Sequence, residues 1–176
     1  ANVTVLKKKP DLRILVEQGA GIAAGYPDAE YQDAGAELVS RDAIFDQADV
    51  VLQVQTPGSN TASGADDLGK LRKGQLLIGM MDPLANPSFA STLAEKGING
   101  VALELVPRIT RAQAMDVLSS MAMIAGYKSV LMAAVAANRL FPMNMTAAGT
   151  LNASRVFVRC VGVACRFACD FASRLR

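Results

Sequence analysis

The chain has 176 residues, 51% hydrophobic and 19% charged, which supplies a core for one domain or one and a fraction and excludes a disordered chain. It contains no histidine. That excludes a Ser-His-Asp triad, a Cys-His dyad, a His-ligated zinc and a His general base from this chain. The net charge of +2 is unevenly spread: residues 1–154 carry 13 basic and 15 acidic side chains, whereas residues 155–176 carry five Arg and one Asp. Those arginines are interleaved with Phe, Val, Ala and Cys, which is not the pattern of a solvated basic arm, so no nucleic-acid partner is expected. The three cysteines, Cys160, Cys165 and Cys169, lie in the same tail. They are odd in number, form no C-x-x-C and have no His beside them, so neither a disulfide framework nor a metal site is expected.

In chain order, residues 1–9 read as the end of a helix stopped by Pro10-Asp11, and Arg13–Glu17 as a short strand. Gly19-Ala20-Gly21 reads as a turn, Asp28–Ala34 as a helix ended by Gly35, Glu37–Val39 as a brief strand and Asp42–Gln47 as a helix. Val50–Val54 is apolar and β-branched, the pattern of a buried strand. Thr56–Ala65 is a Gly/Ser/Pro/Asn-rich loop and Asp66–Leu71 a short helix. Leu76–Met80 is a second buried strand, Pro87–Lys96 a helix capped by Gly97, and Gly100–Leu105 a further strand. A long helix is predicted from about Ala112 to Asn138. Its apolar stretch, Val117–Ala137, contains Ser119, Ser120, Tyr127, Lys128 and Ser129 and reads as a buried helix, because a lysine near mid-bilayer is costly. Thr146–Gly149 reads as a loop, Arg155–Val158 as a last strand, and an Ala-rich helix follows a glycine-containing turn.

Short buried strands alternating with helices predict an α/β fold, a parallel sheet flanked by helices on both faces. The domain boundary is placed near residues 138–154, giving an amino-terminal lobe over 1–138. Residues 139–176 then form a connection and the first β-α unit of a second, Rossmann-type lobe.

The densest polar cluster is Pro107–Ser120, which follows a predicted strand and so belongs to the carboxyl edge of the sheet, where open α/β folds bind ligands. If this segment is helical, Gln113, Asp116, Ser119 and Ser120 share one arc at roughly 100° per residue, with Arg108 entering from the preceding turn. A carboxamide needs both a donor and an acceptor, which Gln or Ser plus Asp supply. The same spacing also describes a capped helix start with an Arg–Asp ion pair. In the tail, Cys160-Val161-Gly162-Val163-Ala164-Cys165 stands where a dinucleotide fold carries G-x-G-x-x-G, and only the middle glycine, Gly162, is present. Gln53 and Gln55 alternate along a strand and point to one side. They, and Asp82, are possible site groups, although a polar strand terminus and an Asp-Pro turn explain them as well. Met121, Met123, Met132, Met143 and Met145 mark core or interface packing, and a helix apolar on most sides suits a lobe interface or a dimer contact.

Three runs carry a family resemblance: Glu17–Gly21, Asp28–Tyr31 and Ala34–Glu37. They resemble the amino-terminal lobe shared by alanine dehydrogenase and the alpha subunit of proton-translocating NAD(P) transhydrogenase. The run Glu104–Asp116, with Leu118–Ala122, Ile124–Lys128 and Thr146–Thr150, resembles the transhydrogenase subunit in particular, and the likeness covers roughly residues 1–164. It implies an NAD(H)-binding component that passes hydride directly to NADP(H) on a partner component, coupled to proton movement through a membrane-spanning one. It also implies a homodimer held at the inner face of the cytoplasmic membrane through its partners. Carried over by motif, Arg108, Gln113 and Asp116, with Arg111 and Ser119, form the nicotinamide-site loop that orients the ring, and Gly162 is the remaining pyrophosphate contact. Direct transfer needs no acid or base at the hydride step, so the absent histidine is no obstacle. The alanine enzyme would show a Lys at Gln55 and a His at about Asp82, and neither is present. The family lobe has a strand before its first helix, and its nucleotide lobe runs much further. The stretch here is therefore expected to lack that strand and to bind NAD weakly on its own. A non-catalytic interaction lobe is the reading of another class.

Overall fold

The computed structural model describes residues 2–159 and 162–175. By compactness the chain divides into two units, Ala1–Leu105 and Val106–Arg176.

The first unit opens with α1 (Asn2–Leu6), β1 (Leu15–Glu17), α2 (Asp28–Asp33) and β2 (Glu37–Val39), then α3 (Arg41–Gln47) and β3 (Val50–Gln55). It continues with α4 (Gly64–Lys70), β4 (Leu76–Met80), α5 (Pro87–Lys96) and β5 (Asn99–Ala102). Every predicted element is present within a few residues of its expected bounds. Ser40 caps α3 by accepting from the Ala43 amide, and Pro87 opens α5 where a missing N–H costs nothing. Gly97 closes α5 with a left-handed φ of 66°. At the end of α3 the Gln75 amide donates to the Phe45 and Ala48 carbonyls, both at 2.7 Å, and Arg72 donates to the same two. The helix's last carbonyls are thereby satisfied by side chains from the turn that leads into β4.

The strands form two parallel sheets, β1-β2 and β3-β4-β5. Phe45 of α3 and Phe89 and Leu93 of α5 pack with Val51, Leu77, Met81 and Ile98 in one core, and Leu68 of α4 lies against it. All three helices thus cover the same face of β3-β4-β5. Strands laid down successively in one direction by right-handed crossovers put their helices on one side. The opposite face is open: Val50, Leu52, Val54 and Val101 are 48%, 67%, 84% and 41% exposed. The expectation that Val50–Val54 is buried on both faces is corrected here. β3 is an outer strand of its sheet, and among its residues only Val51 is buried.

A polar cluster spans the two sheets. Arg41, at the start of α3, donates through Nε and Nη2 to both oxygens of Asp67 on α4, at 2.9 and 2.5 Å, and through Nη1 to Glu17 at the end of β1, at 2.8 Å. Gln53 of β3 donates to Asp67 Oδ2 at 3.1 Å. Asp67 is 2% exposed. Burial pushes its carboxyl upward, but the hydrogen bonds from Arg41 and Gln53 and the Arg41 and Lys70 charges outweigh burial and hold it below the usual carboxylate range.

The second unit holds α6 (Val117–Ala136), a hairpin of β6 (Asn144–Thr146) and β7 (Gly149–Leu151), and α7 (Val163–Arg174). Several expectations change. The long helix begins at Val117, because Thr110–Met115 is a 3-10 turn. It is not buried: Gly126 and Val130 alone in it are, and α7 is the helix that packs on it. The five methionines are exposed, which overturns the core half of the core-or-interface expectation. Arg155–Val158 forms no strand; residues 152–159 have no regular structure, since a lone extended segment without a partner has no ladder to join. The predicted loop Thr146–Gly149 is the turn of the hairpin.

Replacing Arg41 with Ala leaves the Asp67 carboxylate buried without its cation. We expect a loss of about 2–3 kcal/mol in urea unfolding, the low end for a broken buried pair because the Arg41 side chain is 38% exposed. Because the folded pKa of Asp67 is depressed, its contribution is present above the unfolded carboxylate range and lost as pH falls through the lowered value. The variant should therefore lose part of the wild-type chain's acid sensitivity.

Candidate functional site

The Pro107–Ser120 segment is built from the 3-10 turn over Thr110–Met115 and the first turn of α6. Asp116 is the N-cap of α6. Its Oδ1 accepts from the Ser119 amide at 2.9 Å and its Oδ2 from the Ser119 hydroxyl at 2.6 Å, while the Ser120 hydroxyl donates to the Asp116 carbonyl at 3.1 Å. The capping arrangement anticipated as the alternative reading is therefore present. Its ion pair is not, since among the described residues Arg108 makes no contact with Asp116 short enough to count as one. The Ser119 hydroxyl and amide hold the Asp116 carboxyl below the usual range, and the Arg108 charge adds to this through space.

Arg108, Arg111 and Gln113 are exposed, and none of them hydrogen-bonds or ion-pairs through its side chain with another described residue. The structure thus separates the predicted set in two. Asp116 and Ser119 spend much of their capacity on each other, while two guanidinium groups and one carboxamide keep all of theirs. Gln113 stands on the 3-10 turn and does not share a helical arc with Asp116. The unspent set suits a ligand with a carboxamide and an anionic or hydroxyl-rich arm, because Gln113 offers both a donor and an acceptor and the arginines offer planar donor forks.

The carboxyl edge of β3-β4-β5 is a second polar region. Thr56 is fully buried, and its hydroxyl and amide both donate to the Met80 carbonyl at 2.9 Å; the Ser59 hydroxyl donates to the same oxygen at 2.6 Å. Asn86 donates to the Gly58 carbonyl at 3.2 Å, joining the loops after β3 and β4. Gln53 and Gln55 do not act as a pair. A register shift falls between them, Gln53 turns to Asp67, and Gln55 is exposed. Asp82 is exposed and carries a left-handed φ of 51°. Glu104, which sequence reasoning did not single out as a site group, accepts from the Met81 amide at 2.7 Å and from the Asp82 amide. Its signal was a carboxylate in an otherwise apolar strand exit.

Gly162 is the N-cap of α7 with an extended backbone that any residue adopts, and a Cβ there would meet nothing within 4 Å. No steric need for glycine exists at that position. Cys160, expected at the tight-turn glycine, lies outside the described residues. Cys165 is buried on α7, which runs close to α6: a Cβ at Gly126 would stand 2.3 Å from the Ala164 carbonyl oxygen. Tyr127 and Phe171 meet edge-to-face at 4.8 Å beside this crossing.

Asp116→Ala removes the acceptor for the Ser119 amide, so exchange of that amide with solvent should rise about fivefold, measured by NMR, with Asp116→Asn recovering most of the protection. The depressed Asp116 pKa sets the sign with pH. The charged cap is in place above the unfolded carboxylate range and is lost as pH falls through the lowered value.

Residues 1–125 match the family model described as alanine dehydrogenase/PNT, N-terminal domain. The NAD(P) transhydrogenase alpha subunit of Rhodospirillum rubrum, in the first of the pieces into which that subunit is divided, is 42% identical over 174 residues, 97% of this chain and 45% of that protein. Alanine dehydrogenase of Bacillus subtilis is 30% identical over 114 residues, 65% of this chain and 28% of that one. The crystal structure of transhydrogenase from Sinorhizobium meliloti superposes with a TM-score of 0.89 at 41% identity, over 99% of this chain and 48% of that one. An L-alanine dehydrogenase structure, at 24% identity and a TM-score of 0.79, shares the fold. The chain spans about half the length, or less, of these relatives. It belongs to the alanine dehydrogenase/PNT amino-terminal domain family.

Proposed function

We propose that the chain is part of the NAD(H)-binding component of a proton-translocating NAD(P) transhydrogenase. The observation that carries this reading is the unspent donor set Arg108, Arg111 and Gln113, next to the capped start of α6, in a chain 42% identical to a transhydrogenase alpha subunit. NAD(H), when bound, supplies the hydride. The chain's residues bind and orient: Gln113 would pair with the carboxamide of the nicotinamide, and Arg108 and Arg111 would neutralise the ribose-phosphate arm. Asp116 and Ser119 would fix the helix start from which these groups are presented. Gly162 stays in the proposal as a pyrophosphate contact only through its backbone at the head of α7. NADP(H) and the proton path belong to partner components, through which the chain would sit at the inner face of the cytoplasmic membrane. The apolar, exposed α6 supports a homodimer contact.

The same proposal covers the domain arrangement: an amino-terminal lobe over residues 1–138 lacking its first strand, then a connection and the opening of a nucleotide lobe over 139–176. An alanine-oxidising enzyme is the weaker reading, with lower identity over a shorter stretch.

The test separates the two halves of the dinucleotide. Reduced nicotinamide mononucleotide, titrated by saturation-transfer NMR, should bind weakly and lose its signal in Arg108→Ala/Gln113→Ala. NADH should bind this chain no more than about tenfold more tightly than the mononucleotide. Mononucleotide binding indifferent to the two substitutions contradicts the site assignment, whereas much tighter NADH binding overturns only the expectation of weak binding by this chain.

A further inference from the structure

Asp82 is the only non-glycine residue among those described with a positive φ, at 51°. Left-handed backbone is costly for a residue with a Cβ, and Asp82 precedes Pro83, whose ring favours extended geometry before it. Something must hold it. Successive backbone amides in such a turn form a small concavity that attracts an anion. Here the Met81 and Asp82 amides both point to one oxygen of Glu104. Charge-assisted bonds of this kind are the strong ones. The turn is further closed by the Asn86 amide, which donates to the Asp82 carbonyl at 2.8 Å. The other Glu104 oxygen is buried with no partner among the described residues. A side chain that leaves one buried oxygen unmet is kept in place by what its other oxygen does.

Glu104 stands on the 3-10 turn Leu103–Leu105 directly after β5, four residues ahead of Arg108. The chain therefore leaves the sheet through a residue clamped to the end of β4. We propose that Glu104 is a positioning residue: by gripping the Met81–Asp82 turn it fixes the point from which the Pro107–Ser120 segment departs. Its importance for cofactor binding rests on the reading of that segment given above. The grip itself is a property of this chain alone and is tested without any nucleotide.

Arg108 and Arg111 are exposed trypsin sites within the segment, and Lys73 and Lys96 are exposed sites elsewhere in the first unit. Native-state cleavage reports the population of locally opened chain at each site. In Glu104→Ala, cleavage after Arg108 and Arg111 should rise about tenfold, as expected for two lost charge-assisted bonds, with Lys73 and Lys96 changed by less than about twofold. Glu104→Gln should fall between the wild type and the Ala variant, because its carbonyl oxygen still accepts both amides but without the charge. Should the Ala variant fail to fold, Glu104→Asp, which withdraws the carboxylate by one methylene, should give the same selective rise. Unchanged cleavage at Arg108 and Arg111, or an equal rise at all four sites, overturns the proposal: the first removes the grip, the second reduces Glu104 to general stability. A Glu104→Gln variant that opens like Ala also overturns it, since the unmet oxygen would then be the one that matters. None of these outcomes bears on the mononucleotide titration, so the two readings fail independently.

Discussion

The guanidinium of Arg41 joins two sheets that share no backbone ladder. β1-β2 and β3-β4-β5 are each paired only within themselves, and in such a small α/β unit an unpaired strand edge is a weak point. Arg41 reaches Glu17 at the end of β1 and both oxygens of Asp67, while Gln53 reaches Asp67 from β3. A buried charge pair is seldom a net gain over apolar packing, but losing one member strands the other, so the pair acts as a constraint on geometry more than as a source of stability. It also accounts for Gln53, whose amide is engaged in the fold and not offered at the strand end.

The same core explains the open face of β3-β4-β5. Phe45 of α3, Leu68 of α4 and Phe89 and Leu93 of α5 gather over Val51 and Leu77, and Leu52 and Val54, which point the other way, stay exposed. In the second unit the governing contact is steric. Gly126 lets α7 approach α6 closely, with Ala164 and Ala168 on the facing side. That packing consumes one stripe of α6 and leaves the rest of a helix that is apolar nearly all round exposed.

At the polar segment, distances divide residues that composition treats alike. Asp116 and Ser119 are bound to each other, whereas the side chains of Arg108, Arg111 and Gln113 make no hydrogen bond or ion pair among the described residues. A cap fixes a helix start, and free donors beside a fixed start are what a ligand can use. Glu104 fits the same logic one step earlier in the chain, holding the exit from β5 to the end of β4.

The local elements of the first unit were legible in the sequence, because each is signalled by short-range chemistry: Gly35 and Gly97 as helix ends, Pro87 as a helix start, β-branched runs as strands. The absence of histidine likewise settled which chemistries this chain cannot perform, since composition alone decides that. What the sequence did not decide was everything set by partners distant along the chain. Val50–Val54 has the composition of a buried strand, but burial depends on what covers it, and the crossovers cover one face. Arg155–Val158 has strand propensity, but a strand exists only where a neighbour accepts its hydrogen bonds. Asp116 could face a ligand or cap a helix by spacing, and only the folded position of Ser119 shows that it caps. Glu104 looked like one polar residue in an apolar run until the turn after β4 brought two amides to it.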